Sequence, residues 1–133
     1  MHQLNIGTSS EFVGFELEPE SFEGWLRANV SIAVRGFTGK VSASLQGDDF
    51  RRFEEQLRPL YETLAGTAEF SSLEQQVTFT LKGNGRGAIS VTGEVWSQPC
   101  YENKLEFEFE IDQTFIPSVL SQLQAINESH RAT

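Results

Sequence analysis

The stretch from Phe37 to Gly66, led in by Gly36, constrains the fold most, because its apolar period changes from two to about 3.6 residues without a linker. Phe37, Val41, Ala43 and Leu45 alternate with Thr38, Lys40, Ser42, Ser44 and Gln46, as in a strand with one wet face. Phe50, Phe53, Leu57, Leu60, Tyr61 and Leu64 then recur at spacings of three and four and line one side of a helix. Asp48 or Asp49 can cap the first turn, and Gly66 suits the left-handed position after the last. Pro59 opposes the helix by removing one hydrogen bond, at a cost of about 3 kcal/mol. Burying the six apolar side chains stabilises it by roughly 1.5 to 3 kcal/mol each, so the spacing predicts one kinked helix instead of two elements.

The rest of the chain repeats this plan. Phe12 to Glu18 and Trp25 to Arg35 alternate as strands around a loop at Pro19 to Gly24, and Gly36 turns the second into a hairpin with the strand from Phe37. After Gly66 come a short strand at Thr67 to Phe70 and a clear one at Gln75 to Lys82. Gly83 to Gly87 form a turn, and a strand carries Ile89, Val91 and Val95. These glycines precede a strand and lack a following Gly-Lys-Ser/Thr, so they read as a hairpin and not a phosphate cradle. A loop at Gln98 to Tyr101 leads to a strand at Asn103 to Ile111 and a second helix. Asp112 or Thr114 caps that helix, Pro117 lies in its first turn, and Ile116, Val119, Leu120, Leu123 and Ile126 face inward. The tail from Asn127 is expected to fray. The expected fold is α+β, one domain spanning 1–133: an antiparallel sheet of about seven strands, two helices on one face, order β-β-β-α-β-β-β-β-α. Its two strand-helix halves fall at about 11–66 and 67–127, and Arg27 to Leu64 is echoed in Ile89 to Ile126.

Charge narrows the partners. Ten Lys and Arg stand against nineteen Asp and Glu, a formal charge of -9. The acidity is spread along the chain, with ten of the nineteen carboxylates before Thr67. Counterion release from a phosphate backbone needs the opposite sign, so nucleic acid is not an expected partner, whereas a basic protein is. The single cysteine, Cys100, makes no intramolecular bridge and fits a reducing cytoplasm, and the first residues do not read as a signal peptide. No run approaches a membrane span of about 18 apolar residues, so no membrane partner is expected.

Candidate site residues are few. Glu106, Glu108 and Glu110 form a carboxylate ladder on one strand face, with roughly 7 Å between alternate positions. No histidine accompanies them, so neither a metal site nor a cofactor is expected; a solvated face paired with Lys82, Arg86 or Lys104 is the plainer reading, and contact with a basic protein the functional one. Trp25 and Trp96 fall on the polar register of their strands and Tyr101 lies in a nearby loop, which makes an aromatic partner patch the second candidate. Covalent catalysis finds no nucleophile, base and orienting group together. The sheet edges leave pairing with a second copy open.

WLRANVSIAVRGFTGKVSASL, DDFRRFEEQLRPLYETLAGTAEFSSLE, GNGRGAISVTGEV and NKLEFEFEIDQTFIPSVLSQL together resemble a family of small bacterial proteins, the WapI-like immunity proteins of polymorphic toxin systems. Pro59 departs from the family's usual helix. The resemblance implies a non-enzymatic, cytoplasmic protein-binding module that neutralises a cognate toxin by binding it, with no contact residue carried over. A small-molecule or lipid-binding α+β domain is the alternative.

Overall fold

The structure is a computed structural model and describes residues 2–19, 24–99 and 102–131, of residues 130 and 131 the backbone alone. The chain runs β1 (His2–Gly7), β2 (Phe12–Leu17), β3 (Trp25–Val34), β4 (Phe37–Gln46), α1 (Gly47–Thr63), β5 (Ala65–Ser71), β6 (Val77–Asn84), β7 (Ala88–Trp96), β8 (Lys104–Asp112) and α2 (Ile116–Arg131), with a 3-10 turn at Gln113–Phe115 before α2. The α+β class and the strand-to-helix order are as expected. β1 precedes the strands read from the sequence: Leu4 and Ile6 alternate with Gln3 and Asn5 and are fully buried, a signal only two apolar residues long. The strands form two four-stranded antiparallel meanders, β1-β2-β3-β4 and β5-β6-β7-β8, so the internal echo is two halves of four strands and one helix each. No helix among the described residues is long and apolar enough to cross a membrane.

Alternation drives both sheets. Even-numbered Leu26, Ala28, Val30 and Ile32 of β3 and odd-numbered Phe107, Phe109 and Ile111 of β8 turn inward and are buried. The inner faces and helix stripes share one continuous apolar cluster. At its centre Phe70 and Phe79 of the second sheet stack at 5.1 Å, and Phe15 of the first reaches them at 5.3 and 6.1 Å. Phe50 and Phe53 of α1 close on the same rings at 5.2 and 5.4 Å. Gly93 of β7 is glycine because a Cβ there would lie 2.5 Å from the Thr78 carbonyl oxygen and 2.8 Å from the Phe107 ring.

α1 is a single element across Pro59, with Phe50, Phe53, Leu57 and Leu60 buried as the spacing requires, whereas Tyr61, expected on the same face, is 38% exposed in the last turn. Asp49 is the acid of its cap: the backbone N–H of Gln46, the N-cap residue, donates to the Asp49 carboxylate at 2.9 Å. Burial pushes the Asp49 carboxyl up, against the opposing bonds from Gln46 and Arg52. Three expectations shift at the ends. The left-handed reversal falls at Leu64 (φ 61) instead of waiting for Gly66, because the Leu64 N–H bonds Leu60 at 2.7 Å while its carbonyl accepts from Gly85 at 2.7 Å; a tertiary bond sets the stop. α2 does not end at Asn127 but continues to Arg131, since Asn127 is buried and its amide donates to Glu54 of α1 at 2.6 Å. Phe37, expected on the apolar face of β4, is 67% exposed: it has the inward parity but pairs with Val34 at the hairpin tip, beyond the core.

What joins the halves is the treatment of sheet edges. An edge strand turns every second backbone N–H and C=O outward with no ladder partner. On β1 these belong to odd residues, and Gln122 of α2 takes both groups of Asn5: its side-chain oxygen accepts from the Asn5 N–H at 2.9 Å and its amide donates to the Asn5 carbonyl at 3.4 Å. On β5, Gln56 of α1 treats Glu69 the same way at 3.0 and 3.2 Å. Each helix therefore closes the first edge of the other half's sheet with a glutamine amide acting as a short strand. On β4, the Ser42 carbonyl accepts from the side chain of Gln76 at 3.0 Å, and Gln46 spends its outward N–H on Asp49. Gln56→Ala and Gln122→Ala should each lower stability by about 1 kcal/mol in urea unfolding, a typical net value for hydrogen bonds of this kind, and the double variant by about the sum. A change below 0.3 kcal/mol in both would show that the glutamines merely decorate the edges.

Candidate protein-binding surface

The wet face of the second sheet is assembled by register. Even residues of β6, β7 and β8 point outward, giving rows Thr78, Glu94, Glu106; Thr80, Thr92, Glu108; and Lys82, Ser90, Glu110. The centre is rich in hydroxyls and the β8 margin is acidic. A shallow cleft of about 580 Å³ opens between the first two rows, bordered by Thr78, Thr80, Thr92, Glu94, Glu106 and Glu108. The three glutamates of β8 thus share one exposed face, as the alternation requires.

Their counter-charge is Lys104. Its Nζ lies 2.7 Å from Glu106 and 3.5 Å from Glu94, and 5.3 Å from the centre of the Trp96 ring. The hydrogen bond from Lys104, then its charge, holds the Glu106 carboxyl below its ordinary value, and the Lys104 ammonium is correspondingly raised. Of the three expected partners only Lys104 forms an ion pair. Lys82 and Arg86 form none among the described residues, and neither Glu108 nor Glu110 has a cation within 4 Å among them. The α1 arginines do not help. Arg51, Arg52 and Arg58 are held on their own helix by Asp48, Asp49, Glu54 and Glu55.

The aromatic candidates divide. Trp96 is half-buried at the end of β7 and belongs to the Lys104 cluster, whereas Trp25 begins β3 in the other sheet, opposite Gln46. Tyr101 lies outside the described residues, as does Cys100. Sequence reasoning missed Glu94 and Glu69. Both stand on polar strand registers, but only the pairing of Glu94 with Glu106 and of Glu69 with Thr80 puts them on the face of the ladder. It also missed a deeper cleft of about 660 Å³ on the wet face of the first sheet, where Gly14 leaves room between Asn5 and Ser31 and where Phe12, Glu16, Thr38 and Lys40 form the walls. Among the described residues no three His, Cys, Asp or Glu side chains are grouped so as to hold a metal ion.

The backbone adds a second feature to the β8 margin. The bonds Ser97 N–H to Asn103 and Gln113 N–H to Gly87, both 2.8 Å, fix odd residues of β8 as those paired with β7. The N–H and C=O of Glu106, Glu108 and Glu110 therefore point away from the sheet. Among the described residues nothing bonds them.

Comparison with known proteins gives one family match and a fold likeness. The family model described as the immunity protein WapI-like family matches residues 5–130. No curated protein matches the chain. Among solved structures, one of Trypanosoma bruciei MRP1/MRP2 is similar with a TM-score of 0.54 at 10% identity, covering 97% of this chain and 84% of that one, a likeness of fold. A chain of a CdiA-CT/CdiI toxin and immunity complex from Enterobacter cloacae aligns with a TM-score of 0.46 at 14% identity, covering 95% and 97%.

The Lys104 cluster is open to titration. In Lys104→Gln the Glu106 carboxyl should move up toward its ordinary value, seen as a shifted midpoint for its side-chain carboxyl carbon by NMR, with the fold unchanged. An unmoved midpoint would mean that the ion pair is absent in solution.

Proposed function

The chain belongs to the WapI-like family of immunity proteins, and we propose on that premise that it neutralises a cognate toxin by binding it, acting in the cytoplasm with no chemistry of its own. The family match over 5–130 carries this reading. The charge distribution supports a basic toxin domain as the partner: a net -9, with Glu94, Glu106, Glu108 and Glu110 gathered at one margin, favours fast encounter with a positive surface. Exposed main chain and carboxylates form reversible contacts and need no cofactor. The alternative of a small-molecule or lipid-binding domain requires room between sheets and helices, where Phe15, Phe50, Phe53, Phe70 and Phe79 pack ring against ring.

Co-expression with the cognate toxin, which the immunity reading expects to be encoded in a neighbouring gene, should protect cells, and the purified pair should form a stable complex. Glu106→Lys with Glu108→Lys should slow association by about tenfold at low ionic strength, with the difference shrinking as salt is added. Growth arrest despite abundant folded protein, with no complex in a pull-down, would overturn the assignment.

A further inference from the structure

We propose that the outer edge of β8 is a docking strand: it takes an extended, basic segment of the toxin as a fifth strand, paired through the backbone of Glu106, Glu108 and Glu110. The inference rests on the toxin-binding reading above and specifies how that binding is made. Of the four sheet edges, three are engaged from within the chain. Gln122 occupies β1 at Asn5, Gln56 occupies β5 at Glu69, and Gln76 and Asp49 hold outward groups of β4. Among the described residues β8 presents the longest unbroken run of outward N–H and C=O groups with no intramolecular partner, at Glu106, Glu108 and Glu110; β4 also leaves the backbone of Thr38 and Lys40 open, but that strand carries no carboxylate. Such an edge is a template for strand addition, in which main-chain bonds supply affinity and alternate side chains supply selectivity.

The side chains decide the occupant. Residues that offer their backbone at this edge also carry the carboxylates, so an added strand would set its outward side chains beside Glu106, Glu108 and Glu110. A second copy pairing β8 with β8 would bring glutamate against glutamate, and like charges directly opposite are destabilising. A strand with Lys or Arg at alternate positions instead finds Glu108 and Glu110, neither with an ion-pair partner among the described residues. The same charges that discourage self-pairing admit a basic partner. The inner side of β8 is already packed, with Phe107, Phe109 and Ile111 buried, so the added strand needs no rearrangement of the core.

Two substitutions isolate the backbone contribution, using as the probe the toxin domain that the immunity reading expects to be encoded in a neighbouring gene. Glu108→Thr removes the charge and keeps the N–H; Glu108→Pro removes the outward N–H too, without touching the β7 ladder. Binding by calorimetry should be at least about tenfold weaker for Glu108→Pro than for Glu108→Thr, because the partner carbonyl loses its donor. Equal affinities, with the wild-type chain binding and protecting, would overturn strand addition while leaving the immunity reading intact. A wild-type chain that neither binds nor protects would remove both. Should Glu108→Pro fail to fold, hydrogen exchange on the wild-type complex decides: the amides of Glu106, Glu108 and Glu110 should exchange at least about tenfold more slowly than in the free chain. Unchanged rates, or slow exchange in the free chain accompanied by dimer formation, would overturn the proposal.

Discussion

Every four-stranded sheet leaves two rows of backbone donors and acceptors unmatched, and the disposal of those rows organises this molecule. A half of the chain, four strands and a helix, could place its helix over its own sheet. Instead α1 reaches β5 and α2 reaches β1, each through a glutamine whose amide has the donor and acceptor of a peptide group. Exchange of helices makes each half complete the other. The apolar cluster reinforces this, since Phe15 of the first sheet meets Phe70 and Phe79 of the second while Phe50 and Phe53 of α1 wedge against both. Directional bonds at the rim fix the register of a core whose own packing is not directional.

The same accounting distributes charge. Three of the ten cations are held on α1 by neighbouring carboxylates, and Lys104 by Glu94 and Glu106. The remaining acidity is felt where no cation is near, at Glu108 and Glu110. Exposed ion pairs of this sort add little stability, so their consequence is the distribution of charge over the surface, which leaves Glu108 and Glu110 without a counter-charge beside the outer edge of β8.

Much of the fold was legible because half-buried strands and amphipathic helices write their periods into the sequence: β3, β6, β8 and both helices follow directly from alternation or from three-and-four spacing. β1 escaped because HQLNIG holds just two inward apolar residues, Leu4 and Ile6. Division into two sheets, the stop at Leu64 and the length of α2 depend on contacts between residues distant in sequence, such as Gly85 with Leu64 and Asn127 with Glu54, which no local window contains. Of the candidate site, the glutamate ladder was readable and the cluster of Trp96 with Lys104 was not, since register alone brings them together. The open edge was invisible for the same reason: glutamines at positions 56, 76 and 122 look like ordinary polar residues until the strands they serve are known.

The proposed function rests on the edge of β8, which the fold leaves open while it closes or touches its others. The most direct measurement is residue-resolved amide exchange of the free chain at low concentration. Slow exchange is expected at Asn5 and Glu69, whose N–H groups are held by Gln122 and Gln56, and fast exchange at Glu106, Glu108 and Glu110. Protection of Glu106, Glu108 and Glu110 equal to that of Asn5 and Glu69 would contradict it.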